Sequence, residues 1–430
     1  MKNDKIVLST IAHSHRLKSF RTKVALVLTT LMLVVAATAG ASAQTFKTIY
    51  SFCSQSNCTD GGNPYAGLVQ ATNGHFYGTT NEGTGAYFEG TVFEITPSGG
   101  LTTLHTFSGA EGGGPYAGLV QATSGNFYGI TYFGGAHGYG SVFTITPSGK
   151  LTTLHSFDYT DGDNPYGALV QATNGDFYGT TYGGGANNVY GTVFKITPSG
   201  KLTTLHSFAG TDGGGPYAGL VQAINGDFYG TTVGGGTNDY GTVFKITPSG
   251  KLTTLHSFDR TDGAYPYAGL VQATNGDFYG TTDEGGTSGN GYGTVFKITP
   301  SGDLMPLHSF VGTDGGGPYA GLVQATSGDF YGTTRYGGAN MTDCGGTGCG
   351  TVFKITQSGK LTTPHSFDRT DGTSPYAGLV QATNGDFYGT TDEGGANNYG
   401  TVFRLAVGLG PFVKTQPTSG TVGAAVKIRG

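Results

Sequence analysis

Seven acidic side chains recur at one position along this 430-residue chain: Asp60, Glu111, Asp161, Asp212, Asp262, Asp314 and Asp371. Carboxylates at equal spacing can ring a calcium ion or accept the hydroxyls of a polyhydroxylated ligand. Five residues after each acid stands a tyrosine: Tyr65, Tyr116, Tyr166, Tyr217, Tyr267, Tyr319 and Tyr376. A tyrosine ring can stack on a sugar face. Plainer expectations accompany both sets. Each acid can cap its own turn through backbone amides, and each tyrosine can pack a junction between neighbouring repeats.

Two further sets repeat in the same way. Gln70, Gln121, Gln171, Gln222, Gln272, Gln324 and Gln381 share one position, and His105, His155, His206, His256, His308 and His365 share another, with Tyr50 in the seventh place. A residue present in every copy serves the copy, so structural hydrogen bonding is expected of both. Catalysis needs asymmetry, with one nucleophile or acid and one oriented partner. The irregular side chains are few: Glu82, Asp283-Glu284, Asp392-Glu393, Arg260, Arg335, Arg369 and His137. Side-by-side acids can support acid–base hydrolysis, although in a polar loop they are commonly just solvated. No Walker loop, HExxH or GxSxG elbow occurs, so no catalytic residue is assigned. The Gly-Gly-Gly runs precede strands rather than helix N-termini, which excludes them as phosphate cradles.

These sets are columns of one repeating unit. Pro-Tyr recurs at Pro64, Pro115, Pro165, Pro216, Pro266, Pro318 and Pro375, at intervals of 50 to 57 residues, a period that marks a repeat architecture. Within the fourth copy, four segments have strand character: Ala218 to Ala223, Asp227 to Thr232, Thr242 to Thr247 and Leu252 to Phe258. Asn225-Gly226 suits a tight hairpin in which both residues tolerate positive φ. Pro248-Ser249-Gly250 makes a second turn, and glycine-rich stretches form the longer connections. Four short strands cannot bury both faces alone, and several such sheets packed round an axis form a propeller. A β-helix is the competitor, but its rungs are shorter and lack paired hairpin signals. The predicted fold is therefore all-β, a seven-bladed β-propeller with four antiparallel strands per blade. The small residues of the first segment fit the crowded axis.

The phase of the repeat predicts a closed ring. Phe46 to Phe52 matches the fourth segment, whereas Thr401 to Leu405 matches the third and has no fourth after it. Pairing the N-terminal strand into the last blade uses both orphans and removes two exposed edges. The turns gather at one end of the blades and the long loops at the other. The long-loop face, where the sixth copy carries its insertion from Asn340 to Gly350, is the expected binding surface.

Residues 1–43 read as a secretory signal peptide, the propeller as 44–407, and 408–430 as a linker with a truncated Ig-like fragment. Lys18, Arg21 and Lys23 precede the apolar run Val24 to Ala37, and Ala41-Ser42-Ala43 offers a cleavage site. A retained anchor is the alternative, but the run is short for a membrane span. The expected product is secreted or displayed on the cell surface, with no membrane span in the mature chain. Residues 1–43 hold six of the 22 basic and one of the 27 acidic residues, leaving 16 against 26, a charge near −10. That balance argues against nucleic acid as a partner. Two close cysteine pairs, Cys53 with Cys58 and Cys344 with Cys349, read as local disulfides in an exported protein. A zinc site lacks accompanying histidines at ligand spacing.

The unit GLVQATNGDFYGTT…GTVFKITPSGKLTTLHSF, repeated across residues 46 to about 405, resembles the bacterial repeat of the choice-of-anchor tandem repeat GloVer family. That resemblance implies an exported protein of a group with varied C-terminal anchoring domains, and it implies no established activity, ligand or catalytic residue. Gly234-Gly235 gives a weaker likeness to kelch repeats, against which the absence of tryptophan counts. Pro411 to Gly430 looks like the opening of an IPT/TIG-type domain. Three functions are compatible with these features. The first is a non-catalytic binding or surface module for carbohydrate, a cell-surface protein or a cation. The second is an extracellular polysaccharide hydrolase or lyase using Glu82, Asp283, Glu284, Asp392 or Glu393. The third is a structural spacer.

Overall fold

The computed structural model describes residues 44–83, 89–186, 190–289, 291–416 and 427–429. The signal-peptide expectation for residues 1–43 lies outside them, as does most of the Ig-like expectation. From that C-terminal stretch, Lys414–Gln416 pairs antiparallel with Lys427–Arg429.

The repeat builds seven four-stranded antiparallel sheets arranged as a β-propeller. The fourth blade is representative, with strands Val221–Gln222, Phe228–Thr232, Thr242–Ile246 and Leu252–Ser257 running from the axis outward. The first strand is shorter than its sequence suggests. Only Val221 and Gln222 enter the ladder, opposite Tyr229 and Phe228. The preceding Ala-Gly segment instead runs along the axis against the next blade. A Cβ on Gly269 would stand 3.0 Å from the Gly219 carbonyl oxygen, so backbone meets backbone there.

The Asn-Gly turn also differs from the expected two-residue hairpin. The Gly226 amide donates to the Ala223 carbonyl and the Ala223 amide to the Asp227 carbonyl, which makes a three-residue loop. Gly226 alone takes positive φ, at 87°. Asn225 contributes through its side chain, whose Oδ1 accepts the Asp227 amide at 3.0 Å. A helical-type turn followed by a left-handed glycine is the common three-residue solution.

Each core cluster spans two blades. Tyr229, Val243 and Phe258 of the fourth blade pack with Leu270, Phe278, Phe296 and Ile298 of the fifth. Tyr229 stacks on Phe278 at 4.0 Å between centroids, an arrangement that adds to simple area burial. The recurrent glutamines tie blades by hydrogen bonds, as expected. Gln272 Oε1 accepts the Ile224 amide of the preceding blade at 3.1 Å, while its Nε2 donates to Gly276 of its own turn.

The same contacts close the ring. Thr45–Ser51 pairs antiparallel with Thr401–Ala406 and completes the seventh blade, whose order is then the same as the others. Across the closing junction, Gln70 Oε1 accepts the Thr383 amide at 2.9 Å and Phe76 packs on Tyr388 at 4.2 Å. Phe52, fully buried just after the N-terminal strand, meets Phe93 of the first blade. Phe52→Ala is expected to cost about 3–5 kcal/mol, read as a lower midpoint of denaturation. A change below about 1 kcal/mol would contradict this closure.

Candidate functional site

The structure separates the two columns that the sequence placed together. Each recurrent acid lies just after the outermost strand and takes the ring nitrogen of the histidine six residues earlier. The Nε2–carboxylate distances are 2.6 Å for His105–Glu111 and His155–Asp161, 2.7 Å for His256–Asp262, and 2.8 Å for His206–Asp212, His308–Asp314 and His365–Asp371. In the seventh blade, the Tyr50 hydroxyl donates to Asp60 at 2.7 Å. In the aspartates the second carboxylate oxygen caps the loop, whereas in Glu111 Oε1 accepts from both His105 and the Ser108 amide. Asp262 Oδ1, for example, accepts the Asp259 amide at 3.0 Å. These carboxylates therefore do not ring the axial mouth. They staple each outer strand to the loop that leaves it, which combines the turn-capping and the histidine hydrogen-bonding expectations in one device. Hydrogen bonds from His308 and the Val311 amide hold the Asp314 carboxyl below its usual range, against the opposing effect of burial.

The tyrosines converge on the axis, where they pack against the tyrosines of neighbouring blades. The Tyr-Ala-Gly segments, with Gly167-Ala168 inverted in the third blade, line an axial opening of about 180 Å³. Rings stack in pairs, Tyr166 on Tyr217 at 4.0 Å, Tyr267 on Tyr319 at 4.3 Å and Tyr65 on Tyr376 at 4.5 Å. The Tyr65 and Tyr217 hydroxyls, from the first and fourth blades, meet at 3.4 Å. Burial lifts the Tyr267 phenol to about 12 and raises Tyr65, Tyr166 and Tyr217 further.

Beside this tyrosine floor lies a column that varies from blade to blade, the residue following the second strand: Asn81, Tyr132, Tyr182, Val233, Asp283, Arg335 and Asp392. Blades two to four present aromatic or apolar groups, and blades five, six, seven and one present polar ones. Arg335 is the centre of the polar arc. Its Nη2 is 3.6 Å from Asp283 Oδ2, and its guanidinium lies 5.7 Å from the Tyr319 centroid and 5.3 Å from that of Tyr336. Asp283 is 5% exposed, and its Oδ1 has no hydrogen-bond partner. Burial raises its carboxyl to about 6, although Arg335 pulls the other way. Asp392 is raised to about 7, first by burial and then by the charges of Glu393 and Glu82.

Arg335 opens onto a cleft of about 730 Å³ between blades six and seven on the long-loop face. Its walls are Tyr292, Tyr336, Met341, Tyr376, Arg369 and Glu393, with backbone from the sixth-blade insertion. The insertion is fixed at both ends. Cys344–Cys349 forms one of two disulfides, Cys53–Cys58 the other, and Asn340 Nδ2 donates to the Phe367 carbonyl at 2.9 Å. Tyr336 lies across bare backbone, where a Cβ on Gly316 would come within 2.3 Å of its ring. Arg369 is oriented by Asn398, whose Oδ1 accepts from Nε and Nη2 at 3.2 and 3.1 Å.

Of the irregular residues read from sequence, the cleft brings together Arg335, Arg369 and Glu393, and Asp283 lies behind Arg335. Glu82 reaches only the neighbourhood of Asp392. Arg260 and Glu284 form a separate surface pair at 3.9 Å, and His137 is exposed in its loop. Sequence reasoning missed Asn81, Tyr292 and Tyr336; the variability of the column after the second strand was the available signal. Among the described residues, no three of His, Cys, Asp and Glu converge as a metal site.

Fold and repeat together define a tandem-repeat β-propeller with an asymmetric cleft. The chain matches the Gloeobacter/Verrucomicrobia repeat over residues 38–223 and 188–403, and it belongs to that family. No curated protein matches it. Among solved structures it is similar to a fungal alcohol oxidase of the AA5 family in complex with copper, at 14% identity and TM-score 0.52, covering 88% of this chain and 80% of that one. It also matches a putative 6-phosphogluconolactonase from Bacteroides uniformis (17% identity, TM-score 0.46, 71% and 86% covered). A gluconolactonase from Xanthomonas campestris matches at 14% identity and TM-score 0.39, covering 62% and 78%. Likeness at these identities concerns fold alone.

The raised Asp392 gives a test with a definite sign. A carboxyl whose folded value lies above its unfolded one stabilises fully below about pH 4, and that contribution is lost as pH rises through about 7. Asp392→Asn is therefore expected to raise stability at pH 8 by on the order of 2 kcal/mol, with little change at pH 4. Equal effects at the two values in denaturation curves would contradict the assignment.

Proposed function

We propose that this protein is an exported binding module that engages carbohydrate in the cleft between blades six and seven. The observation that carries the proposal is the cleft itself. It is a site on the long-loop face where a regular scaffold becomes asymmetric, and it combines three tyrosines with both signs of charge. Flat aromatic rings beside charged hydrogen-bonding groups suit a sugar, which has apolar faces and a polar rim. The two disulfides support an oxidising compartment, in keeping with secretion or surface display. A rigid floor beneath the cleft, made by stacked tyrosines and the Arg335 cluster, supports binding without large rearrangement.

A second reading, polysaccharide hydrolysis or elimination, is favoured by Asp392, whose carboxyl is held protonated toward neutral pH beside Glu393 and Glu82. Turnover abolished by Asp392→Asn would support it. Calorimetric titration against a panel of soluble polysaccharides tests the binding reading. At least one is expected to bind, with affinity reduced about tenfold or more in Tyr376→Ala. Absence of binding across neutral and acidic polysaccharides would overturn it.

A further inference from the structure

We propose that the cleft selects sugars bearing a carboxylate, such as uronic acid units, with Arg335 as the group that meets the negative charge. This rests on the carbohydrate-binding reading and goes beyond it by naming the ligand's charge.

Arg335 is held by a buried carboxylate and by aromatic rings. Asp283 stands behind it at 3.6 Å, buried and outside the cleft lining, while Arg335 itself lines the cleft. The rings of Tyr319 and Tyr336 flank the guanidinium at 5.7 and 5.3 Å. A guanidinium held by one carboxylate, two rings and the Tyr376 hydroxyl still keeps N–H donors over for a second, planar acceptor, and carboxylate is the acceptor whose geometry matches that fork. Its position is built rather than incidental. The column after the second strand holds arginine only in blade six, and the buried Asp283 that fixes it comes from the neighbouring blade.

The rest of the cleft distinguishes an acidic sugar from a simple anion. Arg369 supplies a second guanidinium, oriented by Asn398. Glu393 is the one acidic side chain in the lining, and a carboxylate has no use for a small anion but accepts sugar hydroxyls. Tyr292, Tyr336 and Tyr376 add aromatic surface to the same walls. Two cations, one hydroxyl acceptor and flat aromatic surfaces together match a pyranose with one carboxylate. The chain as a whole is acidic, so non-specific attraction of polyanions to its surface would not produce such a preference.

The experiment is a titration of the folded protein with oligogalacturonate and with its methyl-esterified form, which has the same sugar skeleton without the charge. Wild type is expected to bind the acid form about tenfold or more tightly, with a preference that shrinks as salt is raised. Arg335→Gln is expected to remove the preference, and Arg335→Lys to restore part of it. Because Arg335→Gln leaves Asp283 buried without its partner, the exposed Arg369→Gln variant is measured alongside and is expected to weaken the acid form alone. Equal binding of both forms by wild type overturns this inference and leaves carbohydrate binding standing. Binding of neither form, together with binding of a neutral polysaccharide, likewise overturns only the charge selection. Preference for a sulfated over a carboxylated glycan overturns the assignment to carboxylate.

Discussion

The structure depends on the pairing of Thr45–Ser51 with Thr401–Ala406. Each blade buries its aromatic face only against the next, so a row of seven would leave one face bare at each end. The N-terminal strand supplies the missing outer strand of blade seven, and the first and last blades then meet as any two neighbours do. Stability is thereby distributed over seven equivalent junctions instead of resting on one central core. The axis also becomes a fixed place, and it is what allows side chains from distant repeats to form a common floor.

Periodicity explains why most columns are structural. The His–acid staple, the glutamine bridge and the stacked Tyr–Phe pairs each recur, because each solves a problem that every blade has. Function needs a departure from that pattern. It is found where the sixth-blade insertion widens a loop and where one column changes from aromatic to Asp283, Arg335 and Asp392. A scaffold that tolerates change in its long loops while holding its strands constant is suited to this use.

Much of the architecture was legible in the sequence because it is written seven times. Strand number, turn positions, ring closure and both cysteine pairs follow from alternation, turn residues and phase. The site was less legible, for reasons of geometry. His256 and Asp262 lie six residues apart, and nothing local says that the loop folds back to join them. The acid and the tyrosine five residues on sit close in sequence, yet the connection between them crosses from the outer strand to the axis. They therefore belong to opposite edges of the sheet. Arg335 and Asp283 come from different blades, so their meeting depends on the radius of the ring. The first strand came out shorter than its apolar pattern implied, since near the axis the backbone packs on another backbone and not in a ladder.

The N-terminal strand is an integral part of the last blade. Hydrogen exchange followed by mass spectrometry tests this directly, by comparing peptides covering Thr45–Ser51 with those covering Leu252–Ser257, the equivalent outer strand of blade four. The ladder-bonded amides of both peptides should exchange together and only on the timescale of global unfolding. Rapid exchange of Thr45–Ser51 while blade four stays protected would show that the ring is not closed by this strand.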